Sequence, residues 1–349
     1  MSAFVSQRIE YIDAMRGFTM LLVVMAHVSQ FCLGLHGYEG FSFNQMMTEF
    51  RMPLFFFVSG FVLFKPGYHW NLSNIVRFLQ KKIMVQLITP TVFLFVSVYL
   101  RGLNFIDSLC NPMKEGYWFT YTLFVFFVFY IVAQCLLDVW QIRGWRKDVC
   151  LQLFACAVYV LGPLGYELPV NVRIIDALGT MQWQYFFYFM IGNRLRKHFE
   201  RWERLMDGPL LVSVAIVVFF SFNIFRPFFW NFSPSFFCVL TALSGLLLVL
   251  AFFRKNAAVF SGGTVVGRLS QYVGKRTLDI YLLHYYFVFS NLGEVLPDFS
   301  LYKEPFSELL VSFAVSIIII AFCLLISSIL RLSPVIAHYG FGQKKWVGQ

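Results

Sequence analysis

The chain has 349 residues, of which 59% are hydrophobic, 20% aromatic and only 13% charged, and phenylalanine alone supplies 44. That balance excludes a soluble packed domain and reads as an all-α integral membrane protein. The formal net charge of +10 calls for no nucleic acid, because no basic tract is interleaved with base-stacking aromatics and basic loops beside a membrane account for it.

About ten transmembrane helices are expected, at 14–34, 51–65, 77–100, 118–138, 149–166, 180–194, 208–225, 234–253, 275–293 and 306–330. Each run suits a hydrocarbon core of about 30 Å, which takes roughly 20 helical residues to cross. The runs are continuous rather than alternating, which excludes barrel strands. Basic residues concentrate in the N-terminus through Arg16, in the 65–82, 143–147, 194–204 and 254–276 loops and in the tail, which together hold 22 of the 28. Retention of Lys and Arg on the inner side then places both termini in the cytoplasm. The first apolar run follows Arg8, Glu10 and Asp13 without a small-residue cleavage site and reads as a retained helix. Residues 1–349 read as a single membrane domain. The seven cysteines are scattered with no CxxC pair and read as packing residues, so no metal is expected.

The first run holds Arg16 and His27, eleven positions apart. At 100° per residue the two return to within roughly 20° of one helix face, about 16 Å apart along the axis. Ionisable groups inside a membrane usually face a pathway or a site. Arg16 reads either as an interfacial anchor or as a planar fork for a cofactor phosphate, with Asp13 one turn earlier to orient it. His27 reads either as a satisfied buried imidazole or as a general base on a hydroxyl. Glu39, in the following loop, is placed to orient His27 if that loop folds back.

The second run begins FRMPLFFFVSGF, so Arg51 and Pro53 are expected to open a helix, with Pro53 in its first turn, and Ser59-Gly60 to give a small patch for close helix contact. Arg51 stands where an anionic or sugar substrate would enter, a place where anchoring is also ordinary. Lys81 and Lys82 read as retained cytoplasmic charge or as phosphate contacts. Tyr117 and Trp118 start the fourth run, either as an interfacial belt or as faces for a sugar ring. In the ninth run, GKRTLDIYLLHYYF puts Lys275 and Arg276 at the edge, with Asp279 and His284 deeper. Asp279 and His284 lie about 140° apart on a helix, so each needs a partner on another one.

These pieces resemble the acyltransferase 3 family of bacterial integral-membrane O-acyltransferases. The resemblance rests on IDAMRG at 12–17, the Arg16-x10-His27 spacing, MPLFFFVSG at 52–60, YWF at 117–119 and LDIYLLH at 278–284, in the family's order. It implies ten helices in the bacterial cytoplasmic (inner) membrane and transfer of an acyl group, usually acetyl from acetyl-CoA, to a hydroxyl of an envelope polysaccharide or glycolipid. It also implies His27 as the catalytic residue and Arg16 as its partner. An arginine pair that many members carry before the third helix's proline is replaced here by Lys81 and Lys82 in KKIMVQLITP, which weakens that carry-over.

The expected site is therefore His27, Arg16 and Glu39 for chemistry, and Arg16, Lys81, Lys82, Lys275 and Arg276 for acyl-CoA. Arg51, Tyr117, Trp118 and His284 are expected to meet the acceptor, with Asp13 and Asp279 in support. Membrane lipid, acyl-CoA and an envelope glycan or glycolipid are the expected partners. The rival reading is a polytopic transporter or lipid-linked glycan flippase, with the buried ions lining a path.

Overall fold

The computed structural model describes residues 8–35, 42–167, 177–226, 228, 234–288 and 304–343. Among them every regular element is helical. The chain divides into two compact units, Met1–Val58 with Leu195–Leu325 and Ser59–Arg194 with Ile326–Gln349.

In the first unit, α1 (Glu10–His27) runs directly into a π-helical turn, Val28–Cys32. The second helix, α2 (Phe43–Leu63), begins in this unit and ends in the other. It starts eight residues before the expected 51, and Pro53 lies in its interior rather than its first turn. A single missing N–H is tolerated because the helix continues through the polar stretch Asn44–Arg51, which is held by its own contacts. Asn44 bonds Glu308 and Ser312, and the Phe50 ring lies against Gly245.

In the second unit, α3 (Leu72–Ile83), a π turn at Met84–Ile88 and α4 (Thr89–Arg101) make one long span. The π turn precedes Pro90, whose ring cannot donate to the carbonyl four residues earlier. There follow α5 (Phe105–Cys110), α6 (Trp118–Val139) and α7 (Gly144–Glu167). A 3₁₀ segment, Thr180–Tyr185, leads into α8 (Phe186–Lys197), whose last residues join the first unit. Phe126, Phe127, Phe129, Phe186 and Phe189 interlock mostly edge to face. The Ser59-Gly60 patch is a close approach, since a Cβ on Gly60 would stand 1.9 Å from the Phe189 carbonyl oxygen.

The first unit resumes with α9 (Phe199–Asp207), α10 (Pro209–Ile224), α11 (Pro234–Lys255), α12 (Val265–Lys275) and α13 (Thr277–Leu283). A 3₁₀ turn, His284–Tyr286, ends that run. The long helix α14 (Pro305–Leu330) and the short α15 (Pro334–Tyr339) complete the chain. Along α14 a buried stripe of Glu308, Ser312, Ser316, Ile320, Cys323 and Ser327 faces inward at helical spacing, while Phe313, Ile317, Phe322 and Ile329 face out. Exposed apolar faces of this kind fit a lipid solvent.

Seven helices among the described residues are long and apolar enough to cross a membrane, or eight if α9 and α10, bent by 78° at their junction, form one broken span. The protein is a multi-pass membrane protein. Of the ten expected spans, the sixth corresponds to a 3₁₀ segment and the twelve-residue α8. The ninth corresponds to α13 and its 3₁₀ turn, and its last five positions lie outside the described residues. Apolar content read along the chain does not tell an unbroken helix from one interrupted by a 3₁₀ turn.

Candidate active site

The geometry begins with two glycines. A Cβ on Gly17 of α1 would lie 2.4 Å from the Ser270 carbonyl oxygen, and one on Gly274 of α12 would lie 1.8 Å from that of Asp13. The backbones of α1 and α12 therefore touch, as small residues permit in membrane helices. Since α13 follows α12 after a single residue, this contact fixes its position against α1.

Two pairs of contacts then tie α1 to α13 and its 3₁₀ turn. Near the start, Arg16 donates from Nη2 to Thr277 Oγ1 at 3.3 Å, and its Nη1 lies 3.9 Å from Asp13 Oδ1. Asp13 also accepts from Arg8 Nε at 2.5 Å. Eleven residues on, His27 Nδ1 lies 2.9 Å from His284 Nε2, with the rings stacked 5.1 Å apart. Residues increase in the same sense along both helices, so α1 and α13 run parallel.

The hydrogen bonds assign the protons. His284 Nδ1 faces two backbone carbonyls, Ile280 O at 3.0 Å and Tyr281 O at 2.8 Å, and a carbonyl only accepts, so Nδ1 carries the proton. With both rings neutral, His284 Nε2 holds a lone pair and must receive the N–H of His27 Nδ1. That leaves the lone pair of His27 on Nε2, where Tyr285 Oη stands 3.3 Å away and donates. His284 is fully buried, whereas His27 and Tyr285 are half-buried. A fixed carbonyl, a buried imidazole and a half-exposed imidazole thus form a line that ends in a basic nitrogen.

A second polar network adjoins this one. Glu308 of α14 is buried and accepts from Ser29 Oγ at 2.6 Å and from Asn44 Nδ2 at 3.0 Å. Ser29 belongs to the π turn that begins immediately after His27. Widened turns of this kind recur at functional sites because they re-aim neighbouring side chains.

The other expected residues fall as follows. Arg276 bonds the buried Asp279 at 3.0 Å and lies over the Tyr272 ring, while Lys275 is exposed. Arg51 is buried. Lys81 and Lys82 belong to the second unit, where Lys81 is exposed and Lys82 Nζ stands 4.1 Å from the centroid of the Phe127 ring. Tyr117 is fully buried in that unit, and Trp118 stacks on Tyr185. His284, expected at the acceptor, has no exposed surface and contacts His27. Glu39 lies outside the described residues.

Sequence reasoning missed Thr277, Tyr285, Ser29, Asn44 and Glu308. Thr277 and Tyr285 directly flank the LDIYLLH block, but hydroxyls at a helix end look like packing until a partner is visible. No curated protein and no solved structure matches the chain. A family profile described as an acyltransferase domain matches residues 9–328, nearly the whole chain, and with it the chain belongs to the acyltransferase 3 family.

Proposed function

We propose that the protein is an O-acyltransferase of the bacterial inner membrane, moving an acyl group, acetyl in the first instance, from cytoplasmic acyl-CoA to a hydroxyl of an envelope polysaccharide or glycolipid. The observation that carries this reading is the backbone-anchored histidine pair, which presents His27 Nε2 as a base. In the reaction, Nε2 takes the proton of the acceptor hydroxyl as its oxygen attacks the thioester carbonyl. The tetrahedral intermediate then collapses, the carbon–sulfur bond breaks, and the thiolate of CoA leaves with the proton from His27. Throughout, His27 Nδ1 keeps its bond to His284, so the ring need not turn between its neutral and charged forms. Such preorganisation suits a site where little solvent can reorganise. General-base help of this kind contributes about 10² to 10⁴-fold.

Arg16 is the proposed grip on the phosphates of CoA from the cytoplasmic end, with Lys275 and Arg276 beyond it. Its forked guanidinium suits a pyrophosphate. Lys81 and Lys82 remain proposed contacts of the same donor. Both termini are proposed cytoplasmic, in a ten-span arrangement where the first and ninth segments run outward together, and the parallel course of α1 and α13 agrees with that parity.

The test is release of free thiol from acetyl-CoA by purified protein in nanodiscs, with an acceptor glycan present. Turnover in the wild type that falls by at least 10²-fold in His27→Ala, with the variant still folded, is the expected result. Equal rates in the two proteins would remove His27 from the chemistry. A wild type silent with every acyl-CoA and acceptor tried would return the chain to the transporter reading.

A further inference from the structure

Beside the histidine pair the first unit contains a cavity of about 250 Å³, lined by residues of three segments. The end of α1 and its π turn contribute Ala26, Ser29 and Gln30, the start of α2 contributes Asn44, Gln45, Thr48 and Arg51, and Arg226 closes the wall. Ala26 directly precedes His27, and Arg51 is an electrostatic neighbour of the His27 ring. The α2 residues fall at positions i, i+1, i+4 and i+7, one face of the helix. This is why the early start of α2 matters, since a helix opening at Arg51 would have left the cavity without most of its polar wall.

The lining has a definite chemistry. Ser29, Gln30, Ser42, Asn44, Gln45 and Thr48 offer hydroxyls and amides suited to sugar hydroxyls, and the two charged groups on the wall are both guanidinium ions, Arg51 and Arg226. The nearby carboxylates stand behind the wall. Glu308 accepts from Ser29 and Asn44, while Glu49 pairs with Arg226 at 3.0 Å. Arg51 is itself buried, so its charge is held against the cavity rather than snorkelling to an interface. The volume lies just under the roughly 300 Å³ at which small-molecule sites begin, enough for about one sugar ring.

We infer that this cavity is the acceptor subsite and that it takes an anionic sugar residue, one whose carboxylate or phosphate is bound by Arg51 and Arg226 while a neighbouring hydroxyl reaches His27. The inference rests on the acyl-transfer reading for its reaction, but the binding preference stands without it. Arg51, the wall guanidinium that neighbours the His27 ring, carries most of the proposed discrimination, and Arg226, which also pairs with Glu49, the remainder.

The experiment measures binding to purified protein in nanodiscs by saturation-transfer NMR, using three ligands that share one ring. Methyl galactoside is neutral, methyl galacturonate carries a carboxylate and galactose 6-phosphate a phosphate. At least one of the two anions is expected to bind tenfold or more tightly than the neutral ring, and comparing them identifies which anion fits. In Arg51→Gln the preference should fall to within twofold. Because a buried arginine can be needed for folding, Gln45→Trp on the half-exposed wall serves as a second variant, expected to abolish binding of all three by filling the space. Equal affinity for charged and neutral rings in the wild type, no binding of either anion, or a preference that survives in Arg51→Gln would each overturn the inference. Thiol release, measured in parallel, separates the two ideas: a charge preference without any turnover leaves the subsite standing and removes the acyl transfer, and turnover without the preference does the reverse.

Discussion

His284 touches no solvent and is held by two backbone carbonyls, so replacing it tests orientation rather than proton transfer. Its Nε2 accepts the His27 N–H, and losing that acceptor lets the lone pair of His27 move to either ring nitrogen. His284→Leu is therefore expected to lower kcat by about 10 to 100-fold, the usual cost of losing a residue that orients a working imidazole, with KM for acyl-CoA little changed. His284→Gln, whose amide oxygen can accept the same proton, should recover a substantial part of that loss in the same thiol-release assay. A purely packing role predicts the opposite order, since leucine fits an apolar site better than glutamine does. The sequence made both histidines visible as ionisable groups inside apolar runs, and the need of His284 for a partner on another helix followed from its angle to Asp279. What it did not carry was the identity of that partner, because a pairing 257 positions apart depends on which helices touch.

Which helices touch is decided at the level of elements, and here by glycine. At Gly274 the atom that an added Cβ would strike is the backbone oxygen of Asp13, which no rotamer change can move, so α12 must part from α1. Gly274→Ala is expected to destabilise the protein by about 1 to 3 kcal/mol and to weaken the Arg16–Thr277 contact that depends on the same approach. Gly263→Ala, whose nearest added contact is the Ser261 side chain at 3.6 Å, should be tolerated, and thermal unfolding of both variants in detergent checks the pair. The loop before α6 offers a different kind of test. Lys114 is buried with its ammonium donating to the carbonyls of Leu109, Asn111 and Ala177, and desolvation pulls its pKa from 10.5 down to about 8. A lysine depressed on folding binds its proton more weakly in the native state, so between pH 8 and 10.5 the unfolded chain holds more protons and stability rises with pH. The melting temperature of the wild type should climb across that window relative to Lys114→Met, in which this contribution is absent. A flat difference between the two proteins would mean that the three carbonyls hold the charge as well as water does. Neither device was readable in the sequence, where Gly17 and Gly274 stand 257 positions apart and Lys114 looks like an ordinary loop cation.

For the whole molecule, hydropathy read the lipid-facing helices well because lipid as solvent selects for continuous apolar length, as in α6 and α14. At the expected sixth and ninth spans the described helices are shorter, 12 residues in α8 and 7 in α13, with 3₁₀ segments adjoining them, and Arg276, Asp279 and His284 in and beside α13 are satisfied within the protein. The charge pattern adds what hydropathy lacks, a direction. If basic loops stay inside, the junction of α8 and α9, rich in Arg and Lys, is cytoplasmic and the turn between α4 and α5 faces outward. Each of these places has an exposed side chain that makes no hydrogen bond among the described residues, Glu200 for the first and Leu103 for the second. With the seven native cysteines replaced by serine or alanine, Leu103→Cys should react with a membrane-impermeant maleimide in intact spheroplasts. Glu200→Cys should react only after the membrane is opened. The reverse pattern would invert the protein and put the Arg16 end of α1 outside, where no acyl-CoA is made, and the proposed direction of transfer would fail with it. Labelling of both positions in sealed cells would mean that an even number of crossings separates the two loops, where the charge pattern requires an odd one, so the parallel course of α1 and α13 would need another explanation than two outward spans.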